Sequence, residues 1–171
     1  MPFFQVKIKP AKWYRHDGVP WLNEGDVQAD ALWDLRVSSN LMSAWQIADD
    51  KSNLNQVIAA LTATRNTLCE FGYALLQQQV VLELGIKFEQ TSGTSRDQYA
   101  NAQWHYNFVQ LTASQICALT NEIKKKENRF RAGEWEVKVF LEEGVRLGRI
   151  RLEDLDPSIQ KKLKLLPHTK T

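Results

Sequence analysis

The strongest hydrophobic pattern in the chain covers residues 95–127, where apolar and polar positions separate at about 100° per residue, as in an amphipathic helix. Ser95 and Gln98 have the spacing of a capping box, and the lysines at 124–126 suit the negative end of a helix dipole. We therefore predict one long helix over these residues. Its buried stripe consists of Trp104, Phe108, Leu111, Ile116, Leu119 and Ile123.

Alternation with a period of two, which is typical of half-buried strands, dominates the first third of the chain. It predicts four extended segments, at residues 3–9, 12–15, 33–37 and 41–48. Turn residues at 16–18 would close a first hairpin, and those at 38–40 would close a second one. The front third is therefore predicted to be mostly β-structure.

A second helix is predicted over residues 53–66, because Asn53 and Gln56 are spaced to cap its start. Its buried face would consist of Leu54, Val57, Ile58 and Leu61. Shorter elements should follow: a strand at 71–76, a helix at 77–84 that Gly85 stops, a strand at 86–89 and a last helical turn at 156–164.

Residues 134–148 fit two different structures. Apolar residues at 135, 137 and 139 alternate with charged ones, as they would in a strand. An apolar stripe that includes Val137, Phe140 and Leu141 is equally compatible with a helix. Such a helix would contain Gly144, at a cost of about 1 kcal/mol relative to alanine. The pattern alone leaves both structures open.

These patterns predict an α+β fold, because strand-like segments cluster early and the strongest helical pattern comes later. An N-terminal antiparallel β-sheet would pack on the long helix, residues 95–127, and on the second helix, residues 53–66. We expect residues 1–128 to form the core domain. Residues 129–171 would form a basic C-terminal appendage that packs on the core or extends from it.

With 171 residues, of which 43% are hydrophobic, the chain can fill a sizeable core. Cys69 and Cys117 are too few for a disulfide framework or a zinc site, which favours a reducing compartment. No stretch approaches the roughly 18 apolar residues of a membrane span, and the first ten residues do not have the apolar centre of a signal peptide. We therefore expect a cytoplasmic protein with no membrane partner.

The net charge of +2 conceals a separation of charge along the chain. Residues 1–16 carry a net charge of +4, residues 17–90 carry −6, and residues 124–151 carry +4. Two interpretations follow from this separation. The segments neutralise one another in the fold, or a basic surface meets an anionic partner.

The residues that carry most chemistry in proteins are scattered in this sequence. The three histidines, His16, His105 and His168, lie far apart and have no partner at metal-ligand spacing, so we assign no metal, cofactor or catalytic residue. His105 is interpreted as a partly buried structural histidine, with a general base as the alternative. The hydroxyl-rich loop at 91–95 has no phosphate-binding lysine, so it is interpreted as a connection that ends in a helix cap.

Two functional hypotheses follow from the charged and aromatic residues. The first is a non-enzymatic protein interaction module or small subunit of an assembly, because aromatic residues are enriched at interfaces and the chain has six tryptophans. The second is nucleic-acid binding, in which cations contact phosphates and aromatic rings stack on bases. Its candidate residues are Lys12, Trp13, Tyr14, Arg15, Lys124, Lys125, Lys126, Arg129 and Arg131.

Overall fold

A computed structural model describes residues 1–13, 26–35 and 37–163. Its centre is a six-stranded sheet in the order β4-β5-β2-β1-β3-β6, in which all neighbouring strands are antiparallel. The strands are β1 Phe3–Ile8, β2 Met42–Ile47, β3 Phe71–Gln77, β4 Lys87–Gln90, β5 His105–Val109 and β6 Arg129–Ala132. The predicted α+β fold with an antiparallel sheet led by the N-terminal strands is confirmed.

Helices cover both faces of this sheet. The α-helices of the described residues are α1 Pro10–Trp13, α2 Leu54–Thr62, α3 Gln78–Glu83, α4 Gln98–Gln103, α5 Ala113–Ile123, α6 Glu134–Arg146 and α7 Pro157–Lys162. We call α2, α4, α6 and α7 the first layer, which shares a core with Trp45 and Tyr73 of the sheet. The second layer consists of α1, α3, α5 and a 3-10 helix, Ala29–Leu35, and shares a core with Phe4 and Phe108.

The single long helix predicted over residues 95–127 is wrong, because β5 interrupts it. Phe108 fits a helical period, but it also fits the strand alternation of β5. The strand pairs with β2 on one side and β4 on the other, so its backbone groups are satisfied along both edges. Tertiary pairing therefore overrides the helical pattern. Of the predicted buried stripe, Phe108, Leu111, Leu119 and Ile123 are buried, whereas Trp104 and Ile116 are only partly buried.

Local capping marks where the two helices on either side of β5 begin. Asp97 caps α4, because its Oδ1 accepts a hydrogen bond of 2.9 Å from the backbone N–H of Ala100. Thr112 and Gln115 form a reciprocal capping box at the start of α5. The predicted Ser95 and Gln98 box does not form, since the Ser95 hydroxyl donates to the side chain of Asn101 instead.

Two predicted extended segments in the N-terminal third are helical in the structure. Residues 33–35 belong to the 3-10 helix, in which Asp34 accepts hydrogen bonds from the Lys9 backbone and the Trp13 indole, of 2.9 and 3.1 Å. Residue 36 of the predicted segment lies outside the described residues. Lys12 and Trp13 belong to α1 rather than to an extended piece. The remaining residues of that segment and the turn at 16–18 lie outside the described residues.

The second predicted helix is confirmed as α2, although it ends at Thr62 rather than at residue 66. Asn53 does not cap it with its side chain, which instead accepts from the Ala48 N–H and donates to the Gln46 carbonyl. Of residues 134–148, for which strand and helix were both open, residues 134–146 form helix α6. A Cβ at Gly144 would lie 2.9 Å from Cδ1 of Ile150, so close packing accounts for this glycine.

The C-terminal third contributes to the same core as the rest of the sheet. Strand β6 pairs with β3, and α6 packs against α2. Leu141 of α6 and Ile159 of α7 are fully buried in the core of the first layer. The expected division into a core domain, residues 1–128, and an appendage, residues 129–171, stays a prediction.

Gln5 on the central strand β1 gives a test of this packing. Its side chain is 0% exposed, and neither its Oε1 nor its Nε2 has a hydrogen-bond partner among the described residues. An unsatisfied buried polar group costs about 1–3 kcal/mol. Gln5→Met conserves volume and should therefore raise the free energy of unfolding by about 1 kcal/mol or more, measured by urea denaturation.

A matched control for Gln5→Met is Gln90→Met in the edge strand β4. The Gln90 amide is exposed and donates to the carbonyls of Ala102 and Gln103, each at 3.1 Å. Its replacement should leave stability unchanged or lower it. A loss of stability in Gln5→Met that equals the loss in Gln90→Met would contradict the packing described for β1.

Candidate functional site

The structure describes two residues of the first predicted basic cluster, Lys12 and Trp13. Trp13 is fully buried, and its indole donates to Asp34, so its ring faces the protein core and is not exposed for base stacking. The ammonium of Lys12 donates to the carbonyl of Asp30 at 3.0 Å and lies 4.0 Å from the Asp34 carboxylate. Tyr14 and Arg15 lie outside the described residues.

The second predicted cluster follows the end of α5 and enters the edge strand β6. Three of its cations lie beside acidic side chains: Lys124 with Asp26 at 3.6 Å, Lys125 with Glu122 at 2.6 Å and Arg131 with Glu70 at 3.3 Å. Arg129 is half-buried, and Lys126 is exposed. Nearby carboxylates therefore offset much of the positive charge that the sequence concentrates here.

An apolar groove between the 3-10 helix and α5 is the most exposed hydrophobic feature of the second layer. We call it the Trp33 groove, and its volume is about 350 Å³. It is lined by Leu32, Trp33, Val37, Ala113, Ile116 and Cys117. The Trp33 side chain is 79% exposed, although it belongs to a residue type that usually packs inside or at interfaces.

Helical geometry explains why apolar side chains point outward in this groove. Residues three apart lie on the same side of a 3-10 helix, so the buried pair Ala31 and Asp34, with buried Leu35 on the next side, leaves Trp33 on the side that faces solvent. In α5, the buried face is formed by Leu119, Thr120 and Ile123. The groove side of α5 is uncharged, because Glu122 is the only ionisable acid or base in this helix apart from the Cys117 thiol.

A polar cluster lies on the opposite face of the sheet, where β2 and β5 are neighbours. Ser43 Oγ and His105 Nε2 are 2.7 Å apart. The other ring nitrogen of His105, Nδ1, lies 2.9 Å from the hydroxyl of Thr91 and 3.3 Å from its carbonyl oxygen. Ser43 is exposed, whereas His105 is only 8% exposed, so a solvent-facing hydroxyl contacts a shielded imidazole.

The loop before α4 holds the His105 ring in this position. Asn101 is buried and binds Ser95 through both ends of its amide, which fixes the loop against α4. A Cβ at Gly93 would lie 3.0 Å from the Trp45 ring and 3.1 Å from the His105 ring. Glycine is therefore required for the loop to approach both rings so closely.

The environment of His105 favours the neutral imidazole. Burial lowers its pKa below the ordinary value, because it disfavours the charged form, while the hydrogen bond to the Thr91 carbonyl acts in the opposite direction. The sequence did not predict this cluster, since 62 positions separate Ser43 from His105. The alternation from His105 to Val109 was the one signal that could have placed the histidine on a strand.

A buried ion pair connects the first layer to the end of α6. Arg149 Nη2 lies 2.8 Å from Asp97 Oδ2, and the guanidinium also contacts the Gln56 side chain. The rings of Tyr99 and Trp104 each lie 4.8 Å from the guanidinium carbon. A cavity of about 260 Å³ adjoins this pair between α2 and α6. The pair is part of the packing that fixes α4 against the C-terminal helices.

The pH dependence of stability tests the described environment of His105. The unfolded chain binds a proton near the ordinary histidine pKa of 6.5, whereas folded His105 resists protonation. The free energy of unfolding should therefore fall as the pH drops below about 6.5, and this part of the fall should be absent in His105→Gln. Urea denaturation between about pH 5 and 8 measures it. Identical pH slopes in both proteins would contradict the described burial.

Comparison of the chain with protein-family models, curated proteins and solved structures found no match. Among the described residues, no helix has the length and apolar character needed to cross a membrane. The same part of the chain contains no group of three or more histidine, cysteine or acidic residues arranged to bind a metal ion.

Proposed function

We propose that this protein is an interaction module whose Trp33 groove binds an apolar segment of a protein partner. The observation that carries the proposal is the Trp33 side chain, which is 79% exposed beside an apolar groove. Interface centres are enriched in tryptophan and depleted in charged residues, and the Trp33 groove contains a tryptophan and has no acidic or basic side chain in its lining. The Trp33 groove therefore supports the hypothesis of a protein interaction module.

The size of the indole makes Trp33 the expected energetic centre of this interface. An aromatic side chain buries about 150–250 Å² when it is covered, which corresponds to about 4–6 kcal/mol at 25 cal/mol per Å². Binding also orders side chains, and the entropy lost in this way reduces the free energy gained from burial of the indole. Truncation of a tryptophan at the centre of an interface can still cost about 2 kcal/mol or more. One substitution should therefore be enough to weaken the complex.

We expect Trp33→Ala to reduce binding about 30-fold or more, as follows from a loss of about 2 kcal/mol. The matched control is Trp135→Ala in α6, because Trp135 is 73% exposed but lies outside the groove. Each protein would be used to capture partners from an extract of its source cells and would be measured by light scattering for self-association. The captured partner should remain with Trp135→Ala and be lost with Trp33→Ala.

The native thiol of Cys117 reports occupation of the same groove, because it is exposed and lines the surface. A bound partner should slow its alkylation by a maleimide, whereas alkylation of half-buried Cys69 should not change. A second copy of the chain as the occupant would appear as a concentration-dependent mass. Equal capture by Trp33→Ala and Trp135→Ala, or unchanged alkylation of Cys117 in the complex, would contradict the proposal.

Nucleic-acid binding is the second candidate function, and exposed Lys126 beside Lys124 and Lys125 is the observation that favours it. If phosphate contacts dominate, affinity for DNA or RNA should fall about 10³-fold or more between about 50 and 200 mM salt. Joint replacement of the three lysines by alanine should weaken binding and flatten the salt dependence, measured by fluorescence anisotropy. No anisotropy change at low salt with micromolar protein would exclude this candidate.

A further inference from the structure

We propose that Ser43 and His105 form a nucleophile and general base that attack small, activated acyl esters. Their reactive atoms, Oγ and Nε2, are 2.7 Å apart, within the range of a nucleophile and its base. A third residue, Thr91, contacts the other ring nitrogen and orients the imidazole. This activity is separate from the interaction proposed for the Trp33 groove, because the cavity beside Ser43 and the groove have no lining residue in common.

The proposed reaction uses the tautomer of His105 in which Nδ1 carries the hydrogen. When Nδ1 carries the hydrogen, it donates to the Thr91 carbonyl, which lies 3.3 Å away and accepts only. Nε2 is then unprotonated and accepts the hydrogen bond from the Ser43 hydroxyl. The backbone N–H of Thr91 also donates to the carbonyl of His105 at 3.1 Å. A backbone hydrogen bond therefore joins these two residues in addition to the contact with the ring. Burial lowers the pKa of the imidazole, so the ring is unprotonated near pH 7 and its Nε2 is free to accept a proton.

A cavity next to Ser43 can accept a small acyl group. Its volume is about 220 Å³, and its lining includes Ser43, the Trp45 ring and the Leu61 side chain. Val6, Lys7, Thr64 and, from the 3-10 helix, Asp34 and Leu35 also line it, so the cavity has apolar, polar and charged walls. These dimensions and walls suit an ester with a short acyl chain, and they exclude long acyl chains from the interior of the cavity.

The proposed reaction needs no reagent other than water. As Ser43 Oγ forms a bond to the ester carbonyl carbon, its proton moves to Nε2 of His105. The bond between the carbonyl carbon and the leaving oxygen then breaks, and the departing alcohol takes the proton from Nε2. Water subsequently attacks the acyl-serine, with His105 again accepting the proton and returning it to Ser43 Oγ. The net reaction is hydrolysis of an ester to an acid and an alcohol.

The experiment uses the full chain and a fluorophosphonate, which reacts with activated serines. Ser43 Oγ would form a bond to phosphorus as fluoride leaves, and intact-mass spectrometry would show one added phosphonyl group. Peptide mapping should place it on Ser43, and Ser43→Ala should abolish it. Ser92→Ala is the control, since Ser92 is an exposed serine of the neighbouring loop and should leave the labelling rate unchanged.

The base is tested by His105→Gln, which should slow labelling of Ser43 about 10²-fold or more. Thermal unfolding of each variant would verify that it is folded. If His105→Gln does not fold, labelling of the native protein at decreasing pH serves instead, because a protonated imidazole cannot accept the Ser43 proton and labelling should then slow. The variants that slow labelling of Ser43 should also slow the hydrolysis of p-nitrophenyl acetate. No adduct on the native protein, or labelling of Ser43 that is equally fast without the imidazole, would overturn the proposal.

Discussion

The pairing of β5 with strands on both of its edges is the constraint on which the rest of the structure depends. Strand β4 is joined to the sheet only through β5, and the antiparallel register sets Phe108 beside Met42 in the core of the second layer. The same register sets His105 opposite Trp45, diagonal to Ser43. One short strand therefore completes a hydrophobic core on one face and a polar cluster on the other.

An element could be predicted from the sequence where its hydrophobic period and its end signals indicated the same structure. The alternation of Phe4 and Val6 gave β1, and Gly85 ends α3 with a φ of 67°, as its position after the helix indicated. The long helix failed because Phe108 fits both a helical and a strand period, and only pairing with β2 decides between them. Thr112 and Gln115 have the spacing of a capping box in the sequence, but the helical pattern that continues on both sides of them hid this helix start.

The candidate sites were less predictable, because each is assembled from segments that are distant in the chain. The Trp33 groove requires Asp34 to turn inward, and the indole of Trp13 that binds this carboxylate is 21 positions away. The basic residues were visible in the sequence, whereas the acids that accompany them, such as Glu70 beside Arg131, belong to other elements. Composition thus identifies which residue types are present, and tertiary contacts decide which of them meet solvent.

The two carboxylate oxygens of Asp97 have consequences for how the chain folds as it is synthesised. One oxygen caps α4 and the other contacts Arg149, which leaves the ribosome 52 residues later. Until then, burial of Asp97 would leave a charge without its partner, at a cost of several kcal/mol. The first layer can therefore close stably only after the C-terminal helices emerge. Although the N-terminal strands lead the sheet, the last third of the chain completes the fold.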